Sequence, residues 1–255
     1  MSNVDVCTSC RRRHAFYVRH ASGEKLCRKC LEKSLLKHIR RSLRGIGLRP
    51  RTVISVYLPR SWVLEGLLLL RLVSNIERNY GTHVLCFVPI NCAGTVQSFI
   101  SGLSNVSLIP YRKDELSFPS CMLNSTLHAE ELARSFEPFP QAVLLPYSLT
   151  DLNEGFLEAL LVKQEALSTM KKLYTYGIPW VVLPFKDLPR RDLYALAYTN
   201  ELIEALNSCP PTSGPTPEIS EIVHEMTIYH SELTYRMENS ITALMKFRVS
   251  TPTKD

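Results

Sequence analysis

The sequence predicts an α/β protein in which a four-cysteine zinc finger precedes a doubly wound, mostly parallel sheet of five strands. Two observations support this prediction: two Cys-x2-Cys pairs lie within the first 30 residues, and apolar runs then alternate with helical patterns. The 255 residues are 45% hydrophobic and 21% charged, an ordinary globular composition. Disordered, collagen-like and coiled-coil proteins are thereby excluded.

The finger is predicted from the spacing of four cysteines. Cys7 and Cys10 form one pair, and Cys27 and Cys30 form the other. Each pair can fold a tight turn that brings two thiolates to the same metal ion at about 2.3 Å. We therefore expect a structural Zn²⁺ ion whose four ligands leave no open position for catalysis. Disulfides or metal-free thiols are the alternative.

A basic amphipathic helix is predicted over residues 28–44, because apolar residues recur on one helical face and glycines end the pattern. Residues 1–51 contain 14 Lys and Arg against 3 Asp and Glu, whereas the rest of the chain is net acidic. Charge of one sign at one end indicates contact with a polyanion such as nucleic acid. A solvated basic face is the alternative. The predicted nucleic-acid contacts are Arg11, Arg12, Arg13, Lys37, Arg40, Arg41 and Arg44.

Five strands and six helices are predicted after the finger. The strands are apolar throughout, which is typical of a parallel sheet covered by helices on both faces. The predicted strands are 52–58, 83–89, 106–110, 141–145 and 180–184. The predicted helices are 62–79, 95–103, 123–136, 151–174, 190–207 and 218–244. These elements divide the chain into a finger with its basic helix (1–50), an α/β core (51–207), and a Pro-rich loop with a C-terminal helix (208–255).

No membrane-spanning segment is expected. The longest apolar run, 62–73, is interrupted by Glu65 and Arg71 and is shorter than the roughly 18 to 20 residues that cross a bilayer. The first 20 residues are polar and basic, without the apolar core of a secretory signal. We therefore predict a cytoplasmic protein without a membrane partner.

The order of a four-cysteine finger, a basic helix and a five-stranded α/β core resembles the TtuA-type tRNA 2-thiouridine synthetases and the eukaryotic cytosolic thiouridylases. The resemblance covers nearly the whole chain and is strongest at the finger, at Cys209-Pro210 and over 190–241. It implies a PP-loop ATPase-like fold of the adenine nucleotide alpha hydrolase type. It also implies a tRNA substrate, whose wobble uridine is activated with ATP before sulfur is delivered to carbon 2.

The catalytic motif of that family is degenerate in this chain. The family has Ser-Gly-Gly-Lys-Asp-Ser after the first core strand, where glycines let backbone N–H groups surround a phosphate. Here the loop is Tyr57, Leu58, Pro59, Arg60, Ser61 and Trp62. Both glycines are replaced, Pro59 lacks an N–H group, and Arg60 alone has compatible chemistry. We therefore do not expect ATP to bind, and we assign no catalytic residue.

The sulfur-transfer chemistry of the family is also only partly represented. The resemblance implies an iron–sulfur cluster on three cysteines, of which Cys121 and Cys209 remain while Asn124 takes the third position. An amide is a poor iron ligand, so a cluster held by two thiolates would be labile and is a doubtful cofactor. Two ordinary half-buried thiols are an alternative, as is a Cys121–Cys209 disulfide if the source is a hyperthermophile. Asp151 is either a helix cap or a remnant of a nucleotide-facing acid.

We predict a tRNA-binding protein of the wobble-uridine 2-thiolation system. The degenerate loop favours a non-catalytic subunit paired with an active PP-loop paralogue, although a homodimer is also compatible with the sequence. One alternative is an active thiolation enzyme with a divergent nucleotide site around Arg60, Cys121 and Cys209. A further alternative is a zinc-finger regulator that binds nucleic acid.

Overall fold

The structure is a computed structural model that describes residues 5–113, 116–168, 170, 180–200 and 202–247. The finger contains strands β1 (Tyr17–Val18) and β2 (Lys25–Leu26). The core strands are β3 (Val53–Tyr57), β4 (His83–Pro89), β5 (Val106–Tyr111), β6 (Val143–Leu144) and β7 (Val181–Val182). The helices are α1 (Arg28–Arg44), α2 (Val63–Glu77), α3 (Ala93–Ile100), α4 (Ser120–Arg134), α5 (Leu149–Leu161), α6 (Arg190–Thr199), α7 (Glu204–Ser208), α8 (Pro217–Tyr229) and α9 (Ser231–Phe247).

The five core strands form one parallel sheet in the order β5-β4-β3-β6-β7. The chain starts at the central strand, builds outward to β5, and then returns to the other side of β3. This is the doubly wound arrangement that the alternating pattern predicts, and the fold-class prediction is confirmed. In such sheets the point where the winding reverses, between β3 and β6, opens a crevice at the carboxyl ends of the strands.

The two faces of the sheet bury separate cores. Alternate strand residues such as Val56 and Cys86 pack against α1, α2, α3 and α6 on one face. Their neighbours Tyr57 and Phe87 face α4 and α5 on the other. Because successive side chains of a strand point to opposite faces, strands covered on both sides must be apolar at every position.

Three predicted helices differ from the observed ones. The helix predicted over 151–174 ends at Leu161, and residues 171–174 lie outside the described residues. The helix predicted over 190–207 is divided into α6 and α7, because Asn200 leaves the helical conformation. The last helix is broken at His230, whose φ of −137° and ψ of 53° separate α8 from α9. Apolar periodicity continues across both breaks, so the pattern does not reveal them.

A buried carboxylate helps to fix the finger to the core. Asp192, near the start of α6, accepts a hydrogen bond from the Tyr17 hydroxyl at 2.6 Å and pairs with Arg19 Nε at 2.8 Å. Farther along, Arg28 Nη2 donates to Asn200 Oδ1 at 2.6 Å. These contacts hold α1 in a set orientation on the sheet. Within the described ranges, no helix is long and apolar enough to cross a membrane.

Candidate functional site

The four finger cysteines converge on one point. Their sulfur atoms all lie within 4.8 Å of one another, and Cys10 Sγ and Cys27 Sγ are 3.9 Å apart. Cys7 and Cys27 are buried, whereas Cys10 and Cys30 are partly exposed. Backbone bonds form the two turns: the Arg11 N–H donates to the Cys7 carbonyl, and the Cys30 N–H donates to the Cys27 carbonyl. The sequence therefore builds a closed four-thiolate group that can hold a metal.

The environment of these thiols favours a cation between them. Burial raises the pKa of Cys7, but N–H groups around Cys10 and Cys27 outweigh it, and the pKa is lowered to about 6. Burial and the neighbouring finger cysteines raise the pKa of Cys30 to about 12. The Cys7 thiol therefore loses its proton readily, whereas the Cys30 thiol retains its proton. A metal ion that binds all four thiolates stabilises this group.

A basic surface runs along α1, which begins directly after Cys27. Leu31, Leu35, Ile39 and Leu43 face the core, so the charged residues between them face outward. Lys33, Lys37, Arg40, Arg41 and Arg44 line a groove of about 430 Å³, which we call the basic groove. Arg11, Arg12 and Arg13 are exposed in the finger. The predicted nucleic-acid residues on α1 thus share one face, and their role in binding stays a prediction.

The crevice at the carboxyl ends of β3 and β6 is filled by side chains. Trp62 is 3% exposed, and its indole N–H donates to Asp151 Oδ1 at 2.8 Å. Its ring lies edge-on to Tyr147, with a centroid separation of 5.0 Å. Asp151 is also the third residue of a capping box with Ser148, which starts α5. Asp151 therefore combines a capping role with a hydrogen bond across the crevice.

The loop after β3 does not offer a row of N–H groups to a phosphate. Pro59 has none, the Leu58 N–H donates to the Phe87 carbonyl at 2.9 Å, and the Trp62 N–H donates to the Pro59 carbonyl at 2.9 Å. Arg60 lines a shallow depression of about 300 Å³ that also includes Arg112 and Lys113. This loop consequently does not fit the phosphate cradle that the family resemblance implies.

Arg190 closes the other side of the crevice, and the sequence pattern does not predict this role. It pairs with Asp151 and Glu154, and its Nε lies 3.9 Å from Glu65 Oε1. Burial lowers the pKa of Arg190, but the charges of these acids outweigh it and hold the pKa well above the ordinary range. Burial and the charge of Asp151 raise the pKa of Glu65 to about 7. In the sequence, acidic residues inside strongly apolar stretches of α2 and α5 indicate a buried charge network. They do not identify Arg190 as the cation that pairs with them.

Cys121 and Cys209 are both buried but belong to different cores. Cys121, in the first turn of α4, accepts a hydrogen bond from the Ser213 hydroxyl at 3.4 Å. Ser213 also contacts Ser61, so the loop after Cys209 reaches the loop after β3. No disulfide forms among the eight cysteines, all of which lie in the described ranges.

His128 packs against two tyrosines. Its Nδ1 is 2.9 Å from the Tyr57 hydroxyl, and its ring lies edge-on to Tyr57 and Tyr111. Burial, and then the charge of Lys113, lower its pKa.

No family model and no curated protein matches the chain. Among solved structures, it is similar to the U34-tRNA thiolase NcsA from Methanococcus maripaludis with its [4Fe-4S] cluster. The identity is 15%, the TM-score is 0.70, and the match covers 96% of this chain and 88% of NcsA. The fold is that of a tRNA thiolase.

This likeness corrects the predicted cofactors. The sequence indicates structural zinc, and it makes an iron–sulfur cluster doubtful. NcsA, which has this fold, nevertheless contains a [4Fe-4S] cluster. The prediction of structural zinc with a doubtful iron–sulfur cluster was therefore wrong. The prediction treats only Cys121 and Cys209 as remnants of a cluster site. Four thiolates, such as those of the finger, are also the donor set of such clusters.

Proposed function

We propose that the chain is a non-catalytic, tRNA-binding subunit of a wobble-uridine 2-thiolation system. The likeness to a U34-tRNA thiolase supports the substrate class. The observation that carries the non-catalytic role is the Trp62–Asp151 hydrogen bond, which Arg190 reinforces from the other side of the crevice. Trp62 and Arg190 both bond to Asp151, so the carboxylate at the crevice is engaged by groups of the protein itself.

The basic groove supports tRNA binding. Its five cations face outward from one helix, and the opposite face of that helix is buried in the core. Such an array binds phosphates without reading sequence, and it needs a rigid support to match their spacing. The contacts of Asp192 with Tyr17 and Arg19 supply that support. We infer that the chain positions tRNA while an active paralogue performs the chemistry.

A thiolation assay tests this proposal. The full chain, a tRNA, ATP and a sulfide source should yield no 2-thiouridine. A paralogue with an intact Ser-Gly-Gly-Lys-Asp-Ser loop should thiolate the tRNA, and adding this chain should increase the yield. The increase should disappear when Arg40, Arg41 and Arg44 are changed to Glu. Turnover by this chain alone would overturn the non-catalytic role.

One observation favours an active enzyme as a second candidate. Cys121, Ser213 and Ser61 are connected by hydrogen bonds beside the crevice, which places a thiol near the degenerate loop. If the chain alone forms 2-thiouridine and Cys121→Ser abolishes the product, the enzyme is the better description. Activity that survives Cys121→Ser would place sulfur delivery at another thiol.

A further inference from the structure

The pocket beside the C-terminal end of α1 belongs to neither the finger nor the crevice. It has a volume of about 320 Å³ and is formed by α1, the segment after it, the end of α2 and the turn at Arg78–Tyr80. Its apolar floor is made by Leu43, Leu48, Pro50 and Ile76. Tyr80 stands at its edge with 57% of its surface exposed. An exposed aromatic ring over an apolar floor is a surface on which a planar group can stack.

The rim of this pocket is basic. Arg40, Arg44 and Arg49 line it and are all exposed. Arg40 and Arg44 also line the basic groove, so the pocket continues the surface to which we assign tRNA phosphates. A phosphate chain lying along α1 would therefore bring its next nucleotide to Tyr80.

The local backbone holds Tyr80 in place. The Arg51 N–H donates to the Tyr80 carbonyl at 3.0 Å, which ties the turn to the segment that forms the opposite wall. Gly81 follows with a φ of +67°, a conformation that lets the chain turn directly into β4. The backbone that carries the ring is therefore already fixed before a base stacks on it.

We propose that this pocket binds one unpaired nucleotide of an RNA, with its base on Tyr80 and its phosphates on Arg40 and Arg44. The inference rests on the proposed function, because it assumes that α1 binds RNA. Single-stranded RNA is recognised by stacking of its bases on aromatic rings beside basic residues, whereas a paired base must first be unpaired and unstacked at a cost in free energy. The volume admits one nucleotide and is too small for a folded protein segment.

Binding of two fluorescent RNAs of equal length to the full chain tests the proposal. One is single-stranded and the other is a hairpin duplex. Tyr80→Ala should weaken single-strand binding about tenfold and change duplex binding less than about twofold. Tyr80→Phe should retain binding, because the ring remains. The matched control is Tyr198→Ala, which removes another exposed tyrosine, located on α6, and should have no effect.

A second measurement reports the stacking directly. A single-stranded RNA carrying 2-aminopurine should lose fluorescence on binding to the wild type and to Tyr80→Phe, and retain it with Tyr80→Ala. Equal losses of single-strand and duplex affinity with Tyr80→Ala, or no loss of either, would overturn the pocket while leaving tRNA binding intact. If the wild type bound neither RNA, both the pocket and the proposed function would fail. Duplex binding that is unaffected when Arg40, Arg41 and Arg44 are changed to Glu would remove α1 as the RNA surface.

Discussion

Trp62 lies directly before α2 at the crevice, and its neighbours explain why it is stable there. The indole N–H bonds to a fully buried carboxylate, and the ring contacts Tyr147 and Phe118. Trp62→Phe would keep an aromatic ring but remove the indole N–H that donates to Asp151 Oδ1. We expect the free energy of unfolding to fall by about 2 kcal/mol, measured by urea denaturation. Trp180→Phe, a partly exposed control near Arg134, should cost less.

Glu65 makes stability depend on pH. Its pKa is raised to about 7 by burial and then by Asp151, whereas an unfolded glutamate has a pKa of about 4.5. The folded state therefore keeps a proton that the unfolded state loses, so this contribution is complete below about pH 4.5 and is lost as the pH rises to about 7. The loss is on the order of 3 kcal/mol.

Urea denaturation at pH 5 and pH 7.5 measures this contribution of Glu65. Glu65→Gln should remove it, because the amide does not titrate. Glu232→Gln, at an exposed ion pair with Arg236, should retain the wild-type difference. The same pH difference in Glu65→Gln as in the wild type would assign the effect to another group.

At the scale of elements, α1 is the unit that binds tRNA in our proposal. Charge reversal at Arg40, Arg41 and Arg44 should weaken tRNA binding and reduce the log–log salt slope by roughly one for each phosphate that is no longer neutralised. The control reverses three charges elsewhere, at Arg134, Lys186 and Arg236, and should leave the slope near that of the wild type. An unchanged slope in the α1 variant would show that the basic groove serves another ligand.

The finger is a second element whose behaviour can be measured. Cys7→Ser combined with Cys10→Ser removes two of four thiolates that lie within 4.8 Å of one another. We expect the bound metal to be lost and the finger to unfold, because a four-thiolate site and its fold form together. The content of iron, acid-labile sulfide and other metals per chain should be measured on protein purified without oxygen. Cys86→Ser, within β4, is the control, and equal metal content in all variants would contradict the prediction.

At the scale of the molecule, Asp192 joins the finger to the core. Asp192→Asn keeps the shape but removes the charge that Arg19 pairs with and weakens the bond from Tyr17. We expect a loss of about 2 kcal/mol, since Arg19 is only partly buried. Hydrogen exchange should accelerate in 17–26 and remain slow in β4. Uniform acceleration throughout the chain would show that the finger and the core unfold together.

The sequence predicts the sheet well because each strand is recognisable from its own residues. Runs such as 83–89 are apolar at every position, and the intervening helices fix the parallel order. The Arg190 network is not predictable in this way because its members come from α2, α5 and α6, and no local pattern connects Glu65 with Arg190. The break at His230 is not predictable either, because the apolar spacing continues through it and no local signal marks the end of α8. Cysteine spacing predicts that four thiols meet, but it does not specify which metal group they hold.

The parallel direction of the strands determines which substitutions can act independently of one another. Tyr80 precedes β4, whereas Trp62 follows β3, so the two residues stand at opposite ends of parallel strands. A strand of five residues rises about 16 Å. Free-energy changes at sites more than about 7 to 10 Å apart usually add. In our proposal, substitutions around Tyr80 therefore alter which RNA is preferred without altering the crevice, and the two ends of the sheet can evolve separately.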